Sequence, residues 1–312
     1  MADMRLTIAT FPHGQWDGLK DGRAKPEGIE LEHVQASPNT YRRMVRDLEF
    51  DVAEVALTTF VAAKWFGVPI TAVPIFSNRD VTMSPITYNV RSGIEAPKDL
   101  EGKRVGLRSY TVTNTTQCRA LLNSEFGVDT DSIQYLVSED AHVAQYVNPP
   151  NVAQIPSGKT LEQMLADGEL DAGLQLSVEP GGDIGLLLTE EEADEVGLGY
   201  FRRTGVYPIG HVMTIKDEVL REHPWVGPAM FRAFSESKDL YVDSLPGLAD
   251  PGRRDLQALR NRDLVGGDPF PMGMTKNRKA MEAMVRMYVD QHVIPEPMDV
   301  DGLFAPGTLD LE

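Results

Sequence analysis

Short hydrophobic segments alternate with polar ones along the first third of the chain. Four of them combine apolar alternation with β-branched residues and predict strands: RLTIATF, GIELEHVQ, DVAEVALTT and PITAVPIF. Between the second and third strands lies SPNTYRRMVRDL, where Ser37 is expected as the helix N-cap and Pro38 at the first helical position. This order of strands and helices predicts an α/β fold with a parallel, doubly wound sheet.

A weak internal repeat suggests a second sheet of the same kind. MVRDLEFD (Met44–Asp51) and MLADGELD (Met164–Asp171) share Met, Asp, Glu and Asp at equal offsets, and each runs into an apolar stretch. The repeat indicates either a duplicated α/β unit or a chance match between two acidic helix ends. The last third of the chain is more helical, with two long amphipathic segments.

Composition narrows the class of protein. The chain has 312 residues, 42% of them hydrophobic, which is enough for two lobes. A net charge of −17 argues against nucleic acids and anionic membranes as partners. The single cysteine, Cys118, excludes internal disulfides and is expected in the core. The N-terminal residues lack the features of a secretion signal, so we expect a cytoplasmic protein.

Hydroxyl groups cluster where the segment RVGLRSYTVTNTTQCRALL turns from a predicted strand into a predicted helix. Behind Arg108 they are Ser109, Tyr110, Thr111, Thr113, Thr115 and Thr116. Ordinary helix capping explains one or two of these hydroxyls. An anion site explains the whole cluster, because a helix N-terminus offers unpaired donors and partial positive charge. Both interpretations are open at this point.

Few other residues indicate chemistry. His13 follows the first strand, where ligands bind in open α/β sheets, and His211 begins a later strand. Glu54 lies within an apolar run, so its carboxylate needs a partner or faces a cleft. Arg79 joins Arg108 and Arg119 as the candidate clamp for a carboxylate: a guanidinium binds that group in bidentate geometry. The sequence shows no spaced metal ligands and no cofactor motif, so neither a metal nor a cofactor is expected.

Eight segments, spread in order over most of the chain, resemble the 4,5-dihydroxyphthalate decarboxylase family. They are DGRAKPEGIELE, FDVAEVALTTF, KDLEGKRVGLRSY, LEQMLADGELDA, RRTGVYPIGHVM, HPWVGPAMFRAFSESK, GGDPFPMGMTKNR and LFAPGTL. The resemblance implies a two-lobed type II periplasmic-binding-protein-like fold with the ligand cleft between the lobes. Residues 1–86 plus 207–312 should form lobe one, and residues 87–206 should form lobe two.

The resemblance also implies an activity, which is decarboxylation of a hydroxylated aromatic acid without a cofactor. His13 or His211 would be the acid, with Glu54 as a further catalytic residue. Other positions would bind the small aromatic carboxylate: Thr58, Arg79, Arg108, Ser109, Tyr110, Thr111, Thr113 and Tyr207. The hydroxyl cluster would then hold an acidic group of the ligand. A homo-oligomer is also possible.

This sequence departs from the family pattern near the expected cleft. After Phe76 and Arg79, the pattern expects an aromatic residue, an arginine and a histidine, but the chain has Val81, Thr82 and Met83. These changes leave two alternatives open. One is a solute-binding protein of an uptake system that performs no reaction, and the other is a related enzyme that acts on another small aromatic acid.

Overall fold

The computed structural model describes residues 4–156 and 158–312. The strands are β1 (Met4–Thr10), β2 (Ile29–Gln35), β3 (Val52–Ala56), β4 (Ile70–Ser77), β5 (Ile86–Asn89), β6 (Arg104–Leu107), β7 (Gln134–Val137), β8 (Val152–Gln154), β9 (Ala172–Leu174), β10 (Ile184–Leu186) and β11 (His211–Lys216). The α-helices are α1 (Asp17–Lys20), α2 (Thr40–Asp47), α3 (Leu57–Trp65), α4 (Thr113–Phe126), α5 (Leu161–Ala166), α6 (Glu190–Thr204), α7 (Asp217–Glu222), α8 (Val226–Ser244), α9 (Arg253–Val265) and α10 (Met274–Asp290).

The first sheet has the strand order β2-β1-β3-β11-β4. Strand β1 pairs in parallel with β2 and β3, as the alternating pattern predicted. Strand β11 comes from much later in the chain and lies antiparallel between β3 and β4. The sheet is therefore mixed rather than wholly parallel. It brings the start of β11 to the carboxyl ends of β3 and β4.

The second sheet has the strand order β10-β5-β9-β6-β7-β8. Strand β6 pairs in parallel with β7 and β9, and β5 lies antiparallel to β9. Its run β7-β6-β9-β5-β10 repeats the pairing directions of the first sheet. Two mixed α/β sheets in two compact units confirm the predicted two-lobed α/β class.

The repeated sequence segments occupy matching places in the two sheets. Each begins inside a helix, α2 or α5, and leads into a central strand, β3 or β9. The last aspartate of each segment has the same role: Asp51 accepts a hydrogen bond from the backbone N–H of Thr7 (2.9 Å), and Asp171 accepts one from that of Arg104 (2.8 Å). The weak sequence repeat therefore corresponds to a repeated local structure.

The two compact units match the predicted lobes except in one segment near the C-terminus. The first unit comprises Met1–Asp80, Pro208–Glu282 and Met298–Glu312, and the second comprises Val81–Tyr207 and Ala283–Pro297. The predicted borders at 86/87 and 206/207 lie near the observed ones. The assignment of Ala283–Pro297 to lobe one was wrong, because the unit boundary falls within α10 and the sequence pattern of that helix is continuous.

Each unit has its own hydrophobic core. In the first unit, Met230 and Phe234 of α8 share a buried cluster with Leu6 and Ile8 of β1. In the second unit, Cys118 of α4 is buried in the cluster around β6, as the sequence predicted. Every helix in the described part of the chain is too short or too polar to cross a membrane.

Two predicted element boundaries were wrong. Helix α2 begins at Thr40 rather than at Pro38, because Ser37 and Thr40 first close a turn in which the Thr40 N–H donates to the Ser37 carbonyl (2.8 Å). The predicted third strand ends at Ala56, and Leu57 begins α3. Thr58 therefore lies in the first turn of a helix rather than in a strand.

Candidate active site

Glu54 is the centre of a hydrogen-bonded cluster in the first unit. Its side chain is fully buried in β3. Its carboxylate accepts five hydrogen bonds: at Oε1 from His13 Nε2 (2.8 Å), His211 Nδ1 (2.8 Å) and Ser77 Oγ (2.5 Å), and at Oε2 from the Phe11 N–H (3.0 Å) and Trp16 Nε1 (3.2 Å). The partners that a buried carboxylate needs are thus supplied by the surrounding chain.

The sheet topology brings these groups together. Strand β1 ends at Thr10, and the chain that follows it carries His13. His211, the first residue of β11, is in register with Ala56 at the end of β3 and with Ser77 at the end of β4. The cluster therefore sits at the carboxyl ends of β1, β3 and β4, where ligands of open α/β sheets bind.

The two histidines stabilise the charged form of Glu54. Burial alone would raise the pKa of Glu54, but the charge and hydrogen bond of His13, together with the contact from His211, hold that pKa well below its usual range. Glu54 is therefore an anion at neutral pH. An anionic carboxylate only accepts hydrogen bonds, so both imidazoles present an N–H to it.

The second ring nitrogen, the one that does not contact Glu54, has different surroundings in the two histidines. His211 Nε2 is 2.9 Å from the hydroxyl of Tyr41, so protein groups engage both of its nitrogens. His13 Nδ1 has a weaker neighbour, Nη1 of Arg254 at 3.5 Å. His13 also lines a small pocket of about 50 Å³ within the first unit, together with Arg79 and Arg254. His13 is thus the histidine of the cluster that lines this pocket, although the two side chains are about equally exposed, at 11% and 13%.

Close packing fixes the chain around His211. The residue before it, Gly210, allows the carbonyl oxygen of Asn78 to approach, since a Cβ at Gly210 would lie 2.3 Å from that oxygen. Asn78 itself has a positive φ of 52°, which non-glycine residues adopt rarely. The ring of Phe11 packs 5.3 Å from that of His211. These contacts hold the imidazole in one orientation.

The same cluster also offers a possible metal site. One ligand atom each from His13, Glu54 and His211 lies within 4.8 Å of the other two. Two imidazoles and a carboxylate are ligands that divalent transition metals accept. However, Oε1 of Glu54 already accepts three hydrogen bonds, so the cluster is satisfied without an ion. The absence of a metal remains a prediction.

The hydroxyl cluster surrounds the start of α4 in the second unit. Helix α4 begins at Thr113 with Val112 as its N-cap, and no side chain caps it. The hydroxyls of Thr115 and Thr116 donate instead to the Val112 carbonyl (3.0 and 2.9 Å), and Ser109 Oγ donates to that of Asp140 (3.3 Å). Ordinary N-capping therefore does not explain the cluster, and the anion-site interpretation remains a prediction.

The structure places the arginines of the predicted clamp in different surroundings. Arg108 is partly exposed beside Ser109, and within the described residues its guanidinium has no hydrogen-bond or ion-pair partner. Arg119 is fully buried, donates to Gln291 Oε1 (3.0 Å) and lies 3.9 Å from the ring centre of Tyr110. The proposal of Arg119 as a ligand clamp was wrong, because the periodicity of α4 points it into the core.

Other predicted binding residues are mostly buried. Arg79 is 3% exposed, and its guanidinium donates to the Pro208 carbonyl and to Asn277 Oδ1, both at 2.7 Å. Tyr110 packs against Tyr135 in the second core, which gives it a structural position rather than one that faces a ligand. The remaining four are also buried: Thr58, Thr111, Thr113 and Tyr207.

Sequence reasoning missed several members of the cluster. Ser77 is the last residue of β4 and Trp16 follows β1 by six residues, so their positions at strand ends were a usable signal. Tyr41 lies on α2 in an ordinary amphipathic pattern and gave no signal. Arg254 lies on α9, far along the chain from His13, and only the tertiary structure brings the two together.

Comparison with known proteins identifies relatives of the chain. The profile of the family described as NMT1/THI5 like matches residues 24–175. A 4,5-dihydroxyphthalate decarboxylase from Comamonas testosteroni is 26% identical over 99% of this chain and 99% of that protein. A second protein of that name, from Pseudomonas putida, is 28% identical over 55% of this chain and 70% of that protein.

Solved structures agree on the fold. The periplasmic aliphatic sulphonate binding protein SsuA from Escherichia coli superposes with a TM-score of 0.55 at 12% identity, covering 98% of this chain and 99% of that chain. At this identity the likeness concerns the fold alone. The chain is therefore similar in sequence to proteins named 4,5-dihydroxyphthalate decarboxylase and similar in fold to a periplasmic binding protein.

Proposed function

We propose that the protein is a decarboxylase of a hydroxylated aromatic acid and that His13 donates the proton. The observation that carries the proposal is the buried Glu54 carboxylate, which holds His13 Nε2 while Nδ1 lies 3.5 Å from Arg254, a residue that lines the same pocket. Relatives named 4,5-dihydroxyphthalate decarboxylase support the substrate class. His13 is preferred to His211 as the acid because it lines the pocket and its second nitrogen has only the long contact with Arg254 (3.5 Å), whereas Tyr41 lies 2.9 Å from the second nitrogen of His211.

The reaction needs one proton and no other reagent. The Nδ1–H of a protonated His13 passes its proton to the ring carbon that bears the leaving carboxylate, and a ring hydroxyl ortho or para to that carbon stabilises the resulting positive charge. The bond between the ring and the carboxylate then breaks, its electron pair restores the aromatic ring, and CO2 leaves. Solvent returns a proton to His13. Glu54 and His211 orient His13 throughout.

The direct test is the conversion of 4,5-dihydroxyphthalate into 3,4-dihydroxybenzoate and CO2. We expect His13→Gln to lower kcat by roughly 10²–10⁴-fold, the usual range for a lost general acid, while ligand binding persists. In D2O, the product should carry one deuterium at the carbon that lost the carboxylate. His33→Gln is the matched control, because His33 is exposed on β2. Full activity of His13→Gln would contradict the assignment.

Treatment with EDTA tests the role of the cluster. Because the cluster is satisfied by hydrogen bonds, chelation should leave the activity unchanged. If activity is lost and a divalent ion restores it, His13, Glu54 and His211 are metal ligands, and the proton-donor assignment is wrong.

Binding without reaction is the second candidate function. The fold shared with the sulphonate-binding protein favours it. In that case the protein would bind an aromatic acid stoichiometrically and release no CO2, and His13→Gln would change only the dissociation constant.

A further inference from the structure

The pocket beside His13 is built from groups suited to an aromatic ring with polar substituents. One wall is the chain after β1, including Gln15, and another contains the rings of Tyr241 and Phe270, with centres 6.2 Å apart. Gly14 allows the ring of Tyr241 to come close, because a Cβ at Gly14 would lie 2.4 Å from a ring carbon. Aromatic walls favour the stacking of a flat ligand.

One face of α9 forms the opposite wall. Arg254, Gln257, Ala258 and Asn261 all line the pocket, and their spacing of three and four residues places them on a single helix face. On the same helix, Leu256 is 55% exposed. The helix thus directs three polar side chains and Ala258 towards the pocket.

Two side chains of this pocket have polar groups without partners. Asn261 is 1% exposed; its Nδ2 donates to the Arg79 carbonyl (3.0 Å), which fixes the amide orientation, and its Oδ1 accepts no hydrogen bond from any described residue. Gln15 is 2% exposed, and its Nε2 likewise lacks an acceptor in the described chain. Leaving buried polar atoms unpaired destabilises a fold, so they are uncommon unless a ligand or water completes them.

Arg254 supplies a positive charge at the pocket. Its Nη1 donates to the Pro12 carbonyl (2.7 Å), which anchors the guanidinium 3.5 Å from His13 Nδ1. A carboxylate bound there would lie next to the nitrogen that faces the pocket. A guanidinium is well suited to a carboxylate because it offers several donors in one plane.

We propose that this pocket selects hydroxylated aromatic acids by two separate contacts. Arg254 binds a carboxylate of the ligand, and Asn261 Oδ1 accepts a hydrogen bond from a ring hydroxyl, with Gln15 Nε2 donating to the hydroxyl oxygen. The inference rests on the proposed function, since it places the substrate of that reaction against His13. Arg254 then determines the affinity for any aromatic acid. Asn261 determines the preference for an acid that carries a ring hydroxyl.

The test compares two ligands that differ only in their hydroxyls, phthalate and 4,5-dihydroxyphthalate. Calorimetric binding is measured in a His13→Asn background, which prevents turnover. Arg254→Gln should weaken binding of both ligands about equally. Asn261→Leu should weaken only 4,5-dihydroxyphthalate, by about tenfold. Arg253→Gln is the matched control, since Arg253 is the exposed neighbour on the same helix and does not line the pocket.

A second variant covers the case in which Asn261→Leu fails to fold. Ala258→Val adds volume to the same face of α9 and should weaken both ligands while retaining Arg254 and Asn261. If Asn261→Leu weakens both ligands equally, or if Ala258→Val leaves binding intact, the pocket does not recognise the ring and the inference is wrong.

The pocket and the reaction can fail independently. If the ligands respond to the variants as expected but the wild-type protein releases no CO2, the pocket assignment stands and the decarboxylase proposal falls. If CO2 is released at normal rates by Arg254→Gln and Asn261→Leu alike, the reaction stands and the pocket assignment falls.

Discussion

Glu54 is a buried charged residue in the first unit, and several hydrogen-bond donors surround it. One buried negative charge accepts hydrogen bonds from both imidazoles, a hydroxyl, a backbone N–H and an indole. Such a charge is tolerated only because all of these donors surround it. The same carboxylate stabilises the fold and orients the proposed acid.

Replacing Glu54 by glutamine should therefore destabilise the protein by about 3–5 kcal/mol at pH 7, the order expected when one partner of a buried ionic cluster is removed. The amide nitrogen brings a donor to a place already filled with donors. Urea unfolding measures the free energy. Glu32→Gln, an exposed change on β2, is the control and should have little effect.

The pH dependence of that difference follows from the pKa of Glu54, which lies well below 4.5 in the folded protein. Above about pH 4.5 the stabilisation is fully present, because the carboxylate is ionised in both states. Below that pH the unfolded chain takes up the proton first, so the stabilisation is lost as the pH falls towards the folded pKa. Wild type and Glu54→Gln should thus become more alike in acid. A constant difference from pH 7 to pH 3 would contradict this.

For single residues, the sequence predicted which side chains belong to the Glu54 cluster better than it predicted the contacts between them. His13, Glu54 and His211 were each recognisable from their places at strand ends or in an apolar run. Their meeting was not predictable, since the histidines lie 41 and 157 positions from Glu54 and the insertion of β11 beside β3 leaves no local signal.

Among the elements, α4 differs in how it begins. Its first turn has no side-chain cap, and the hydroxyls around it donate to carbonyl groups. The start of a helix is where backbone N–H groups can bind an anion. Arg108 precedes α4 by five residues, in a chain whose net charge is −17.

The double change Ser109→Ala with Thr113→Val should weaken anion binding by roughly 1–3 kcal/mol, the order for hydrogen bonds lost to a charged group. Titration with sulfate and with benzoate measures the effect. The melting temperature without ligand should move little, because Ser109 and Thr113 do not cap α4 and the Ser109 hydrogen bond to the Asp140 carbonyl is long (3.3 Å). Thr115→Val serves as control, since its hydroxyl donates within the turn. Full affinity combined with a much lower melting temperature would mean that the hydroxyls are purely structural.

Element types were predictable where the pattern was strong, and element ends were not. The strands β1, β2 and β4 follow their alternating segments closely. The end of β3 was missed because DVAEVALTT remains apolar and β-branched after Ala56, so nothing local marks the change to α3. Two consecutive buried elements share one hydrophobic run, and tertiary packing decides where the strand stops.

For the whole molecule, the net charge of −17 opposes the approach of an acidic ligand. Raising the salt from about 10 mM to about 100 mM shortens the Debye length from about 30 to about 10 Å and removes most of this repulsion. The association rate of 4,5-dihydroxyphthalate should therefore rise by a factor of about two to ten over that range. Stopped-flow fluorescence measures the rate, and uncharged catechol is the control ligand. A falling rate would show that local positive charge dominates the encounter.

The division into two units was predictable from the spread of motifs, but its detail was not. The internal repeat and the change to helical patterns both indicated two α/β sheets. The return of Ala283–Pro297 to the second unit had no sequence signal, because α10 keeps one amphipathic pattern across the boundary. Because α10 is one continuous helix, its hydrophobic periodicity does not show where the first unit ends and the second begins.

The position of β11 has a consequence for synthesis on the ribosome. Strands β3 and β4 are made early, yet the strand that joins them emerges only after nearly all of the second unit, which is roughly ten to thirty seconds at ordinary elongation rates. Until then, both strands have unpaired edges that invite aggregation or chaperones. Because β11 also carries His211, no nascent or truncated chain that stops before it can assemble the buried cluster.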